Sequence, residues 1–293
     1  LFADPINATT FRAKVLLDPN FDRETCLIAE KDSQVAGFVL GLRRRVPFFG
    51  DGYEPDESWI SAFGVAPQYQ EAGIGSALLE QVLARLQALG AKHTSLSPYV
   101  PNYFTPGADA NAYANGIEFL TKRGFAVIER PISMRTELTG FQIPEAIQQR
   151  KAELAAEGVE IRPATPEDIV PVLDFIPKHF TWDWHREASG VFMDLFSGDP
   201  RWVDMIVARE GDQVLGYAEH RGERFGPFGV HTQLRSRGIG RVLLATTLHE
   251  MLKKNYHAAW FLWTEDNAAR LYSQVGFKEV RRFAVLRKEL GKG

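Results

Sequence analysis

The chain repeats itself. "SAFGVAPQYQEAGIGSALL" at residues 61–79 returns as "GPFGVHTQLRSRGIGRVLL" at residues 226–244. Upstream, "LIAEKDSQVAGFVLG" (Leu27–Gly41) pairs with "MIVAREGDQVLGYAE" (Met205–Glu219). Downstream, "IEFLTKRGFAVIER" pairs with "ARLYSQVGFKEVRR". The three blocks keep one order both times. Their period is far too long for a solenoid, so the 293 residues read as two copies of one domain.

Between the copies, "PEAIQQRKAELAAEG" (Pro144–Gly158) carries a proline at its start, strong helix formers and a closing glycine, the signals of a connecting helix. The expected division is therefore residues 1–142, a helical linker at 143–158, and 159–293. Copy two opens on a short strand (Val159–Arg162) and a helix capped by Thr165. Copy one has no such opening strand, and an N-terminal piece is expected to be missing. A hairpin of Met205–Arg209 and Gln213–His220 follows, turning at Gly211-Asp212. The next strand ends at Val230. Leu244, Leu248, Met251 and Leu252 then mark a helix with one buried stripe, as do Leu79, Leu83 and Leu86 in copy one. Alternating strands and helices predict an α/β fold: tandem domains, each a mixed, mostly antiparallel sheet covered by helices.

Charge and cysteine content narrow the partners. A net charge of −3 argues against nucleic acid. No apolar run reaches about 18 residues, so no membrane span is expected. The single cysteine, Cys26, reads as a small strand hydrophobe in a reducing, cytoplasmic setting. No His/Cys/Asp cluster has metal-ligand spacing, so no metal is expected.

The glycines of the repeat carry the chemistry. A helix entered directly from a strand leaves its first N–H groups without partners, at the positive end of its dipole. That is a seat for phosphate, provided side chains stand aside. Gly73 and Gly75, and Gly238 and Gly240, stand aside in matched contexts; tight strand–helix packing is the competing explanation. Leu78 and Leu243 occupy the place where a dinucleotide fingerprint needs Gly or Ala, and neither copy has a Walker lysine.

The remaining pattern, Gln70-x-x-Gly73-x-Gly75 and Arg235-x-x-Gly238-x-Gly240, resembles motif A of the GNAT acetyltransferase family. "NAARLYSQVGF" resembles that family's motif B. The resemblance covers nearly the whole chain, twice, as in tandem members of the family. It implies acetyl-CoA, with its pyrophosphate on Gln70, Ala72, Gly73, Ile74, Gly75 and Ser76, or on Arg235, Ser236, Arg237, Gly238, Ile239, Gly240 and Arg241. It also implies a pantetheine arm along Val65, or along Phe228 and Val230, near Asn267.

The copies are unequal. Three arginines surround the second loop, where the first has Gln70, Glu71 and Ser76. Aligning Gly124-Phe125 with Gly276-Phe277 sets Leu120 opposite Tyr272, the position where the family often keeps a general acid. The competing reading of Tyr272 is a half-buried core tyrosine. The family's usual glutamate before motif A is absent, with Ser61 and Ala62 or Gly226 and Pro227 in its place. Glu219 and His220 are the substitute bases, against the plainer reading of surface hairpin residues. Trp182, Trp184 and His185 are candidates to line an acceptor pocket or simply to pack as core. Copy one is longer between Gly37 and Val65 and along "SPYVPNYFTPGADANAYAN", loops that either roof a pocket or cover a domain seam.

The expectation is an acetyl-CoA-dependent N-acetyltransferase acting on a small-molecule amine by direct transfer, as a monomer or homodimer, with copy two catalytic. A decayed acyl-CoA-binding sensor or assembly protein, and a protein N-acetyltransferase, stay open.

Overall fold

The computed structural model describes residues 3–291. Contacts divide the chain into two compact units, Leu1–Pro131 with Arg281–Gly293, and Ile132–Val280.

In the first unit a short helix α1 (Ala8–Phe11) precedes strands β1 (Cys26–Lys31), β2 (Gln34–Leu42) and β3 (Glu57–Val65). Helix α2 (Ile74–Ala88), β4 (His93–Leu96), the two-residue β5 (Ala108–Asp109), α3 (Ala114–Thr121) and β6 (Ala126–Glu129) follow. In the second unit β7 (Ile132–Glu137) and α4 (Glu145–Ala156) lead into β8 (Val159–Pro163), α5 (Ile169–His179) and α6 (Trp182–Ser197). Strands β9 (Val203–Glu210), β10 (Gln213–Arg221) and β11 (Arg224–Val230) form a meander, followed by α7 (Ile239–Lys253), β12 (Ala258–Thr264), α8 (Asp266–Ser273) and β13 (Lys278–Glu289). Each sheet is mixed and mostly antiparallel, the parallel pairs being β3 with β4 and β11 with β12. Helix α4 and the hairpin form where the sequence places them, α4 lying within the second unit, and Thr165 caps a 3₁₀ turn (Pro166–Asp168) ahead of α5.

The structural units differ from the division 1–142, 143–158 and 159–293. Strand β7 pairs with β12 in the second unit, from Ala258↔Glu137 to Thr264↔Ile132. From Phe283 onward β13 instead pairs with β5, β6 and β4 in the first. The closing strands are thus traded between the copies. Backbone pairing decides this, and sequence similarity carries no mark of it.

The second unit's sheet is covered on both faces. Helices α5 and α6 pack over Met205, Val207 and Tyr217, while α4, α7 and α8 pack over Ile206, Ala208, Ala218 and Phe225. The stripe read on α7 is too narrow. Every residue from Val242 to Leu248 is buried, because α4 covers a second side of that helix. At about 25 cal/mol per Å² of apolar surface, this burial is a main stabiliser of the unit.

In the first unit α2 and α3 cover one face of the sheet. The long loops are bound to the other. Arg44, 4% exposed, sits against the rings of Phe48, Trp59 and Tyr99 and donates to Glu54 and to the Val100 carbonyl. Tyr99 donates to Asp18 at 3.1 Å and accepts from Asn20 at 2.8 Å. Both insertions are thereby fastened to their own sheet. Strand β1 is an edge among the described residues, leaving Ile28 exposed, whereas Val207, its counterpart by register, pairs with Arg162 of β8 and is buried.

Candidate functional site

In the second unit β11 ends at Val230 and a 3₁₀ turn (Thr232–Arg237) leads to Gly238, whose φ of +78° ends the turn and starts α7. Left-handed backbone of this kind costs a side-chain-bearing residue about 1–2 kcal/mol. A methyl on Gly240 would meet Phe228 at 3.4 Å, Val230 at 3.6 Å and Leu271 at 3.8 Å, which is ordinary contact. Packing alone therefore does not demand glycine there. Its absent side chain leaves the helix N-terminus bare. Arg235, Ser236 and Arg241 are exposed beside it, and neither arginine forms an ion pair among the described residues. Arg237 is different. It is tied to Glu157 at 3.1 Å and Glu210 at 3.4 Å, so the triple-arginine expectation reduces to two free cations. Arg150 of α4 supports the turn, its Nε donating to the Arg237 carbonyl at 2.9 Å.

The first unit builds the same turn. Gly73 has φ +80°, with nothing within 4 Å of where a methyl would stand, and Gly75 faces Val65 and Phe119 at 3.5 Å. Gln70 donates to the Val65 carbonyl at 3.1 Å, Ala72 is exposed, and Ile74 opens α2. Its cation comes from elsewhere. Arg123 lies 3.6 Å from the centre of the Phe119 ring and donates to Ser76 Oγ at 2.7 Å. No motif spacing announced that arginine, which is 47 residues from Ser76 in the chain.

Beside each turn the sheet opens. Strands β11 and β12 pair only at Arg224↔Trp260, and β3 and β4 only from Glu57↔His93 to Ile60↔Leu96. Beyond those points Phe228 to Val230, and Phe63 to Val65, keep partners on one side alone, across from Ala218 to Gly216 and Val39 to Gly37. The unpaired side presents main-chain N–H and C=O groups to whatever enters.

Tyr272 lines the core next to this opening. Its ring lies 4.5 Å from that of Phe261, 5.6 Å from Phe277, 6.0 Å from Phe228 and 6.1 Å from Phe225. Burial pushes its hydroxyl above the usual phenol range. Asn267 is exposed in the first turn of α8.

Glu219 is no surface hairpin residue. It is 1% exposed, faces Met205 under α6, and stands at a break in the β10–β11 register between Ala218 and His220. Its Oε2 has no hydrogen-bond partner among the described residues. Burial holds its carboxyl well above the ordinary range, and nearby Glu187 adds to this against Arg224, Arg221 and Arg186. Such an unpaired buried acid is a candidate for handling a proton. Above it, Arg186 donates to Asp183 at 3.1 Å and to Glu187, while Arg224 lies 3.7 Å from Glu187. His220 points to the other face. It is fully buried, with Nδ1 3.0 Å from the Gly222 carbonyl and its ring near Tyr256. Trp184 stacks on Phe180 at 4.7 Å as core, and Trp182 and His185 share the first turn of α6. Glu219 and Tyr272 are not in contact. They lie on opposite faces of one sheet.

Comparison with known proteins gives two matches within this chain. The acetyltransferase (GNAT) family matches residues 4–105, and an acetyltransferase (GNAT) domain matches residues 202–285. A curated relative, mycothiol acetyltransferase of Nocardia farcinica, is 26% identical over 276 residues, which is 86% of this chain and 78% of the relative. Among solved structures, a GCN5-related glucosamine N-acetyltransferase region of a fungal multi-domain β-N-acetylglucosaminidase superposes with a TM-score of 0.72 at 20% identity. That match covers 89% of this chain and only 32% of the fungal one. A tandem GNAT protein from the clavulanic acid biosynthesis pathway gives a TM-score of 0.58 at 15% identity, covering 91% and 82% of the two chains.

Proposed function

The chain belongs to the GNAT family of acetyltransferases, and on that premise we propose that its second unit moves an acetyl group from acetyl-CoA directly to the amine of a small molecule. The observation that carries this reading is the bare, positively charged start of α7 at the mouth of the β11–β12 opening. The free N–H groups of residues 238–240 hold the pyrophosphate, with Arg235 and Arg241 supplying charge. Main-chain groups of Phe228 to Val230 hold the pantetheine arm and polarise the thioester carbonyl. The coenzyme supplies an activated acetyl group. This chain aligns it and manages two protons. As the C–N bond forms, Glu219 takes the proton the amine gives up on the α6 face; as the C–S bond breaks, Tyr272 gives its hydroxyl proton to sulfur on the other. Partition of the two groups between faces supports direct transfer, since each proton has its own acceptor or donor. The small acceptor is supported by the curated relative, whose name denotes a small molecule.

The first unit is read as a binding copy. Leu120 stands where the second has Tyr272: the Phe125 N–H bonds the Leu120 carbonyl at 3.2 Å as Phe277 does Tyr272 at 3.3 Å. A leucine transfers no proton.

The test supplies acetyl-CoA and a panel of small amines, and reads both thiol release and acetylated product by mass spectrometry. Product formation that falls in Tyr272→Phe supports the reading. Coenzyme binding with no product from any amine would leave an acyl-CoA sensor instead.

A further inference from the structure

Thr246 and Thr247 are neighbours on α7, and only one has a partner. Thr247 donates to the Leu243 carbonyl at 2.8 Å, the usual bond of a threonine inside a helix. Thr246 is 4% exposed, and its Oγ1 has no partner among the described residues. One turn further, the Nδ1 of His249 is buried in the same condition.

Both side chains line one concavity between α4 and α7, of about 450 Å³. Phe141, Ile143, Ile147 and Val242 form its apolar lining, and Lys151 lines it as well. Lys151 makes no ion pair among the described residues, although Arg150 beside it makes two. The volume lies within the range of small-molecule pockets. Gln142 and Gln148 also line it, the Gln148 amide donating to the Ile143 carbonyl at 2.7 Å, which leaves Lys151, Thr246 and His249 as the groups a ligand could satisfy.

Those polar groups share a chemistry. An ammonium, a hydroxyl and an imidazole N–H can all donate, and one acceptor-only group that satisfies all three is a carboxylate. We propose that this cavity is a second ligand site, taking a small carboxylate with an apolar body. The carboxylate bonds Lys151, Thr246 and His249, and the body lies against Phe141, Ile147 and Val242. None of these residues belongs to the acetyl-transfer site. The proposal stands independently of the acetyl-transfer reading.

Benzoate and octanoate are the probes, titrated into the full chain by calorimetry, with benzyl alcohol and octan-1-ol as neutral counterparts. Saturable binding of at least one carboxylate, at least tenfold tighter than its alcohol, is expected. Lys151→Gln should weaken that carboxylate about tenfold and leave the alcohol unchanged. Thr246→Val keeps the side chain's shape and should weaken the carboxylate severalfold, with an unaltered melting curve showing that the chain is folded. Heat that never saturates, or carboxylate affinity in both variants equal to that of the unaltered chain, overturns the proposal.

Discussion

Glu219 occupies in the second sheet the register position that Leu40 holds in the first. Gly216 faces Val230 as Gly37 faces Val65, and three residues on come Glu219 and Leu40, each at the register break of its sheet. Leu40 is 3% exposed and packs with Val15 and Ala62. The first unit therefore carries leucine both at this position and at that of Tyr272.

Glu219→Gln separates chemistry from folding. In the folded chain Glu219 keeps its proton above the pH where an unfolded glutamate, with a pKa of about 4.3, gives it up. Wild-type stability should therefore fall as pH rises from about 4 toward the raised folded value, and Gln should remove that decline. Denaturant unfolding across pH checks it. Acetylation should drop about 10²-fold, and the acid limb of the rate profile, set above the ordinary carboxylate range, should vanish.

Tyr272→Phe should keep the aromatic cluster and lose the proton donor. A fall in kcat of about 10²-fold, with KM for acetyl-CoA changed less than threefold, is the expected split. A loss confined to KM would assign Tyr272 to binding alone.

Gly238→Val strains a backbone at φ +78° and drives its side chain toward Arg150, whose Cγ lies 3.2 Å from the first added carbon. Coenzyme affinity at the second unit should fall tenfold or more by calorimetry, with a stability loss of about 2 kcal/mol.

Arg150→Met retains the stem and removes the bond to the Arg237 carbonyl together with the ion pairs to Glu153 and Glu157. The lost support for the turn should appear as a several-fold weaker grip on acetyl-CoA. An unchanged affinity would show that α4 does not support the turn.

His220 sets an acid limit on stability. Burial lowers its pKa to about 4 from the unfolded 6.5. Below pH 6.5 the unfolded chain takes up a proton that the folded one refuses, so stability is lost as pH falls toward 4. The loss between pH 7 and pH 5 should be about 2 kcal/mol, at 1.36 kcal/mol per pKa unit. Unfolding curves of His220→Gln should lack that component.

Repetition, periodicity and turn chemistry are local properties of a sequence, and they determined much here. The duplicated domain, the α/β pattern, the hairpin at Gly211, helix α4 and the paired glycine turns all follow from residues close together in the chain. Distant pairings left no such trace. Only the tertiary structure sent β7 and the end of β13 to opposite units. Only it bound Arg237 to Glu157 and brought Arg123 to Ser76. Only it buried Glu219 with its Oε2 lacking a hydrogen-bond partner among the described residues. The physical reason is the same in each case: strand pairing and burial depend on what the rest of the chain brings alongside a residue, and neighbours in sequence do not specify that.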